Sequence, residues 1–303
     1  MSVGDGRVYH ANVNCSDLED SLAFYRDVLG LAPWSHTVPD SDQDGEAFGL
    51  PRARWDAHIL GTPDAPRGSP PVVDLLEWKV PPPVGRPYAS ANQLGFAGLV
   101  LARADLAAQR EALTRANAGG ITREGDLDGR GRSAFSCLDR DGTRLVFVSD
   151  DADRFAGLVV SCSDLERSLP FYVDVLGLEV SDPPAPGAPS GGGVLGISDG
   201  ARVQCTLTDG HGFDVRLIQW RQPRPEGIPY PEAHHLGIFR VAMLTGDIGA
   251  DYTSLLASGV RCWSPPLALD MGPGIPDLQA ILFADPDGAA WELIEPGTTS
   301  SEP

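Results

Sequence analysis

The chain reads as an α+β protein in which one strand–helix–strands unit is used four times. Three observations predict this. The segment CSDLEDSLAFYRDVLGL (15–31) returns as CSDLERSLPFYVDVLGL (162–178), with fourteen of seventeen positions identical. Two weaker relatives, GLVLARADLAAQREAL (98–113) and RVAMLTGDIGADYTSLLASG (240–259), carry the same order of a strand running into a helix. Self-similarity at such a spacing is the signature of internal repetition.

Each element has a local reason. VYHANVN (8–14) and AGLVVS (156–161) are short, strand-forming runs that precede the repeated helix. In that helix Leu18, Leu22, Tyr25 and Leu29 recur at helical spacing and make one apolar face. Ser16 with Glu19, and Ser163 with Glu166, have capping-box spacing. Gly30 and Gly177 fall where a left-handed C-cap is wanted. VVDLLEW (72–78) matches DVRLIQW (214–220), and DRDGTRLVF (139–147) matches DPDGAAWEL (285–293). Asp-Gly between apolar runs predicts a tight hairpin turn. Aligning Asp17, Asp105, Asp164 and Asp247 sets all four units in register.

Pro- and Gly-rich stretches join the units: PPPVGRPYAS (81–90), PPAPGAPSGGG (183–193) and QPRPEGIPYPEAHH (222–235), which read as loops. The predicted organisation is two halves. The first, 1–150, holds modules 7–80 and 94–150. The second, 155–298, holds modules 155–221 and 236–296, and 299–303 form a flexible tail.

Composition narrows the function classes. A formal net charge of -19 disfavours a nucleic-acid partner or an anionic lipid surface, since both call for clustered Lys and Arg. Five scattered cysteines without a CxxC pair fit a reducing compartment, where thiols act as small core hydrophobes. No run approaches the roughly 20 apolar residues of a membrane span, and MSVGDGRVYH lacks the apolar region of a signal peptide. The expectation is a cytoplasmic monomer or homodimer acting on a small molecule, with no nucleic acid and no membrane as partner.

A strand, then SDLExSLxFYxDVLGL, then DPDGxxWEL near the end of a unit, resembles the vicinal-oxygen-chelate superfamily of glyoxalases, bleomycin resistance proteins and extradiol dioxygenases. The resemblance covers nearly the whole chain. It implies βαβββ modules that pair into cupped mixed sheets around a metal, so four modules would give two cups. It also implies ligands on the first and last strand of each module. The first-strand positions here are His10, Gly98, Gly157 and Arg240, and the last-strand positions are Asp74, Val146, Arg216 and Glu292. The family pattern of His or Gln and Glu is broken at five of these eight by two Gly, one Val and two Arg.

His10, Asp74 and Glu292 remain as candidate ligands for a divalent metal, with Arg240 beside them as a grip for a substrate carboxylate or enolate. If modules pair within each half, neither cup collects three ligands. If module 1 pairs with module 4, one cup holds His10, Asp74, Arg240 and Glu292. Each residue has a plainer reading. Glu292 could be a strand carboxylate paired with Arg240 or Arg216, and His10 a hydrogen-bonded inward residue. Asp74 is less ordinary, because alternation turns it inward with Leu76.

His234-His235 in its Pro-rich loop reads as solvated, and Trp78, Trp220 and Trp291 read as core. No glycine-rich phosphate motif stands at a strand–helix junction. The expected chemistry is lyase, isomerase or epimerase in type, with a proton removed beside a carbonyl and an enolate stabilised by Arg240 or a metal. The alternatives are metal-free binding or sequestration of a small molecule, and extradiol ring cleavage. Ring cleavage is disfavoured because that branch of the family uses two His and one Glu in a single cup.

Overall fold

The computed structural model describes residues 2–187, 191–198 and 200–297. The expected tail, 299–303, lies outside them. Module 1 comprises β1 (Val8–Asn14), α1 (Leu18–Ala23), β2 (Ala32–Thr37), β3 (Gln43–Asp44), β4 (Arg52–Gly61) and β5 (Val72–Val80). Module 2 comprises β6 (Gly95–Arg103), α2 (Leu106–Arg115), β7 (Gly125–Asp126), β8 (Ser133–Leu138) and β9 (Arg144–Ser149). Module 3 comprises β10 (Arg154–Ser161), α3 (Leu165–Pro170), β11 (Glu179–Pro186), a short α4 (Gly191–Val194), β12 (Ala201–Thr208) and β13 (Asp214–Gln222). Module 4 comprises β14 (Gly237–Leu244), α5 (Ile248–Ala257), β15 (Leu267–Leu269), β16 (Leu278–Ala284) and β17 (Ala290–Pro296).

Two curled mixed sheets result, and they do not follow the sequence halves. One runs β15-β16-β17-β14-β1-β5-β4-β2, so module 1 is joined to module 4. The other runs β11-β12-β13-β10-β6-β9-β8-β7 and joins module 3 to module 2. The seams are antiparallel: β1 pairs with β14, and β10 with β6. One apolar core packs the helix-bearing outer faces of both sheets together, drawing on Leu18, Leu113, Leu165 and Leu255 of the helices. Each inner face has its own separate cluster.

The two Pro-rich linkers that connect the sheets run beside each other, with bridges at Val84/His235 and Gln93/Glu226. Buried polar groups fasten this crossing. Trp78 Nε1 donates to Asn14 Oδ1 (3.1 Å), Asn14 Nδ2 donates to the carbonyls of Ala233 and His235 (2.7 Å each), and Trp220 Nε1 donates to the Ala91 carbonyl (3.0 Å). The expectation of a solvated His234-His235 pair needs correcting here. His235 is half-buried and stacked on Tyr230 at 4.0 Å, and Tyr230 stacks on Tyr88 at 4.1 Å.

The duplicated helix differs from the expected one in two ways. Its N-cap is Asp17, not Ser16. The Asp17 carboxylate accepts from the Asp20 N–H at 3.0 Å, and Asp164 plays the same part in α3. Ser16 is spent elsewhere: its N–H and hydroxyl bind the Asp141 carboxylate, as Ser163 binds Asp287. The second half of the segment widens into a π-helix, Phe24–Val28 and again Phe171–Val175. The wider turn lets adjacent Phe24 and Tyr25 both be buried, which an α-helix would splay apart. Gly30 and Gly177 then take the expected left-handed conformation, at φ +71° and +75°.

The placement of Tyr25 gives the repeat a structural purpose. Its hydroxyl donates to Asp139 Oδ2 at 2.9 Å, inside the DRDG turn of the next module, and Tyr172 donates to Asp285 at the same distance. Oδ1 of Asp139 accepts three backbone N–H groups of the same turn, from Asp141, Gly142 and Thr143. Burial pushes the carboxyls of Asp139 and Asp285 up to about 6, against these hydrogen bonds.

A carboxyl raised from 3.8 to about 6 binds its proton more tightly in the folded chain than in the unfolded one. Its contribution to stability is therefore full below 3.8 and is lost as pH rises toward about 6. In urea unfolding across that window, the double variant Asp139→Asn/Asp285→Asn will show a flatter decline of stability with pH than the parent. Equal slopes in the two proteins would contradict the buried, proton-binding role of these turns.

Candidate active site

The four candidate residues meet. His10 on β1, Asp74 on β5, Arg240 on β14 and Glu292 on β17 form the floor of one cavity of about 280 Å³ in the inner face of the sheet shared by modules 1 and 4. All four are buried, with exposures of 4%, 4%, 6% and 1%. Strand register explains the convergence. Asn12 lies opposite Asp74 and Ala242 opposite Glu292, so His10 and Arg240 each stand two residues before the acid of the neighbouring strand. Antiparallel pairing of β1 with β14, with His10 opposite Ala242, brings the two half-sites together.

Arg240 is the hub. Its Nε donates to Glu292 Oε2 at 2.8 Å and its Nη2 donates to Asp74 Oδ2 at 3.0 Å. Asn12 Nδ2 also donates to Asp74 Oδ2, at 3.2 Å. The His10 Nε2 atom stands 3.4 Å from Glu292 Oε2 and 3.9 Å from Asp74 Oδ2, contacts longer than a well-formed hydrogen bond. Burial pushes the Glu292 carboxyl up, but the Arg240 guanidinium and His10 outweigh it and hold Glu292 below its ordinary value. Burial likewise works against the Arg240 charge, and the two carboxylates hold its pKa above the usual range. Both ring nitrogens of His10 and Nη1 of Arg240 are buried without a hydrogen-bond partner in the protein. Buried polar atoms left this way are costly unless something else satisfies them.

Above this charged floor the walls are mainly apolar: Phe48, Trp55, Leu76, Leu269, Met271 and Ile294 among them. The Arg240 guanidinium lies 5.6 Å from the Phe48 ring centre. Tyr9, Trp55 and Met271 were not singled out from the sequence. Strict alternation would turn Tyr9 away from the cavity that His10 faces. An irregularity in the β1–β14 ladder between Val8 and His10 lets both line it. Burial, and then the nearby Asp74 charge, push the Tyr9 phenol up. Trp55 lies on β4, a strand for which no motif argued. Trp78 and Trp220 lie in the inner-face clusters and Trp291 in the outer-face core, in keeping with a packing role.

The second inner face has no such floor. At the position of His10 stands Gly157, at φ +155°, where a Cβ would come within 2.1 Å of the Asp214 carbonyl oxygen. Val146 is core, and Arg216 is bound to Asp214 (3.2 Å) and Asp128 (3.5 Å). The chain's own residues Val194, Leu195 and Ile197 pack into this face. The Val194 carbonyl accepts from Ser136 Oγ at 2.6 Å and Thr122 Oγ1 at 3.2 Å. Gly191 permits the close approach, since a Cβ there would meet the Leu127 carbonyl oxygen at 2.7 Å. Burial raises the thiols of Cys15, Cys137, Cys162 and Cys205, which suits packing and not nucleophilic use.

His10, Asp74 and Glu292, expected as metal ligands, are together, but their donor set does not fit a divalent ion as it stands. The two oxygens that face His10 already accept hydrogen bonds from a guanidinium, which keeps its charge in proteins. Among the described residues no group of three or more His, Cys, Asp and Glu is arranged to hold a metal ion. Among them, too, no helix is long and apolar enough to cross a membrane.

Comparison with known proteins agrees with this architecture. No curated protein matches the chain in sequence. Glyoxalase I from Zea mays superposes with a TM-score of 0.67 over 95% of this chain and 92% of its own, at 20% identity. A candidate dioxygenase from Bacillus subtilis superposes with a TM-score of 0.61 over 98% of this chain and 87% of its own, at 16% identity. At those identities the likeness is one of fold. The family model for the Glyoxalase/Bleomycin resistance protein/Dioxygenase superfamily matches twice, over residues 7–147 and 154–293, and the chain belongs to that superfamily.

Proposed function

We propose that this protein is an enzyme that moves a proton on a small, uncharged, largely apolar molecule bearing a carbonyl or hydroxyl oxygen, in isomerase, epimerase or lyase-type chemistry. One observation carries the reading: an imidazole and a guanidinium N–H without hydrogen-bond partners in the protein, at the base of a cavity whose walls are mainly apolar. Pockets built as apolar walls with a few converging polar groups are the usual form of small-molecule sites.

Charge selects the substrate class. Asp74 and Glu292 outnumber Arg240 on the floor, so a further anionic group in this buried space would be repelled. A neutral oxygen acceptor is suited to Nη1 of Arg240. In the reaction, His10 takes the proton from the carbon next to the carbonyl. Glu292 orients the ring and stabilises the imidazolium that forms, and Arg240 donates toward the oxygen on which negative charge develops. Asp74, held by Asn12, keeps the guanidinium in place. The family's metal enters no step, because the donor set does not fit one.

A panel of neutral aryl ketones and hydroxyketones tests this by proton NMR in D₂O. The wild-type protein will exchange the α-proton of at least one bound compound, and His10→Gln will bind it with exchange slowed by about 10²–10⁴-fold. Binding without exchange in the wild type would favour the sequestration alternative, and equal exchange by His10→Gln would remove His10 from the mechanism.

Stability gives an independent check on the floor. Arg240→Met leaves two buried carboxylates uncompensated and will cost about 3–5 kcal/mol in urea unfolding. Arg240→Met combined with Asp74→Asn and Glu292→Gln will cost much less. A single variant as stable as the parent would mean that the ion cluster does not form.

A further inference from the structure

We propose that Arg240 is the resident cation of this site: its guanidinium fills the place between Asp74 and Glu292 that a divalent ion would otherwise take, and one substitution converts the site into a metal centre. The geometry that points to this lies in two oxygen atoms. Asp74 Oδ2 and Glu292 Oε2 are the atoms that approach His10 Nε2, at 3.9 and 3.4 Å, and they are also the atoms that accept from Arg240, at 3.0 and 2.8 Å. Two carboxylates from two strands therefore meet on one guanidinium, with an imidazole from a third strand beside them, and the positive charge that holds the carboxylates is supplied by a side chain.

Internal symmetry says which residue supplies it. Arg240 occupies in module 4 the register position that His10 occupies in module 1, each two residues before the acid of the adjoining strand. Burial on every side means that the carboxylates need a positive partner, whichever kind it is. A guanidinium serves that need without exchange or pH sensitivity, since it does not lose its proton. With an imidazole at 240 instead, the four positions would present two imidazoles and two carboxylates, a donor set suited to Zn²⁺, Co²⁺ or Ni²⁺ with positions left for solvent. In the chain as it stands the carboxylate oxygens nearest His10 are already taken up by the Arg240 guanidinium, which occupies the place of a second cation.

Chelator-treated full-length protein, titrated with Co²⁺, Ni²⁺ or Zn²⁺ by calorimetry with elemental analysis, tests this. The wild-type chain will take up no stoichiometric ion at this site. Arg240→His will bind one equivalent, tighter than wild type by on the order of 100-fold or more, the change expected from removing a unit charge about 4 Å from the ion. The Co²⁺ form will show a visible spectrum that disappears when His10→Ala is added. Arg240→Lys, which keeps a cation, will gain no metal. If Arg240→His does not fold without metal, recovery of cooperative melting on adding Zn²⁺ reads the same event, and Arg240→Gln provides a second variant.

One other imidazole site could mimic the result. His36 and His58 stack at 4.2 Å on the surface, with His36 Nε2 2.6 Å from Asp56 Oδ1. Uptake that survives His10→Ala and is lost with His36→Ala belongs there and overturns the proposal. So does a wild-type protein that binds one equivalent through His10, or the failure of both Arg240→His and Arg240→Gln to gain metal. Metal uptake is measured without turnover, so its outcome is separable from that of the proton-exchange experiment.

Discussion

The antiparallel pairing of β1 with β14 is the contact on which the rest depends. It joins the first module to the last, although more than two hundred residues separate them in sequence. Without it His10 and Asp74 would lie in one sheet, and Arg240 and Glu292 in another. Arg240 would then keep Glu292, while Asp74 would be buried without its guanidinium partner. With it, the guanidinium from one module satisfies a carboxylate from each. The linkers follow from the same pairing, because each must cross from one sheet to the other. They cross side by side, held by Asn14, Trp78 and Trp220.

The two inner faces show what duplication permits. They have the same register and the same first- and last-strand positions, yet one is a cavity and the other is filled. The difference lies in few residues. In module 3 the position of His10 is a glycine pressed against the neighbouring backbone, and the segment around Val194 to Ile197 packs inward. In module 1 the corresponding stretch, ending at Phe48, stops at the wall and leaves room beneath it. Polar groups remain where they are paired: Arg216 keeps Asp128 and Asp214 as partners. A buried charge without such partners is expensive, which limits how such a face can change.

The floor of the cavity and the turns that join the modules handle buried carboxyls in opposite ways. Glu292 has a guanidinium beside it, and its pKa is held down despite burial. Asp139 and Asp285 have only neutral hydrogen-bond donors of the turn and a tyrosine, and burial prevails. The first arrangement fixes a charge inside the protein. The second ties a helix to the following module through one hydroxyl.

The sequence by itself determined the modules. Repeated helices and Asp-Gly hairpins made the four units legible, because helix periodicity, turn chemistry and glycine conformation act over a few residues. The Pro- and Gly-rich stretch 183–193, read as a loop, instead carries the end of β11 and the start of α4. The sequence also singled out His10, Asp74, Arg240 and Glu292 as candidates, through the first- and last-strand positions that the family resemblance implies and the repeats carry over. The Ser16 cap was misread because the same hydroxyl could serve the helix or Asp141, and only the approach of module 2 decides between them. Tyr9 was missed because a ladder irregularity overrides alternation. Which modules share a sheet, and therefore that Arg240 stands between Asp74 and Glu292, was left to the tertiary structure. Pairing of distant strands depends on contacts summed over both sheets and their common core, and no local stretch of chain encodes that sum.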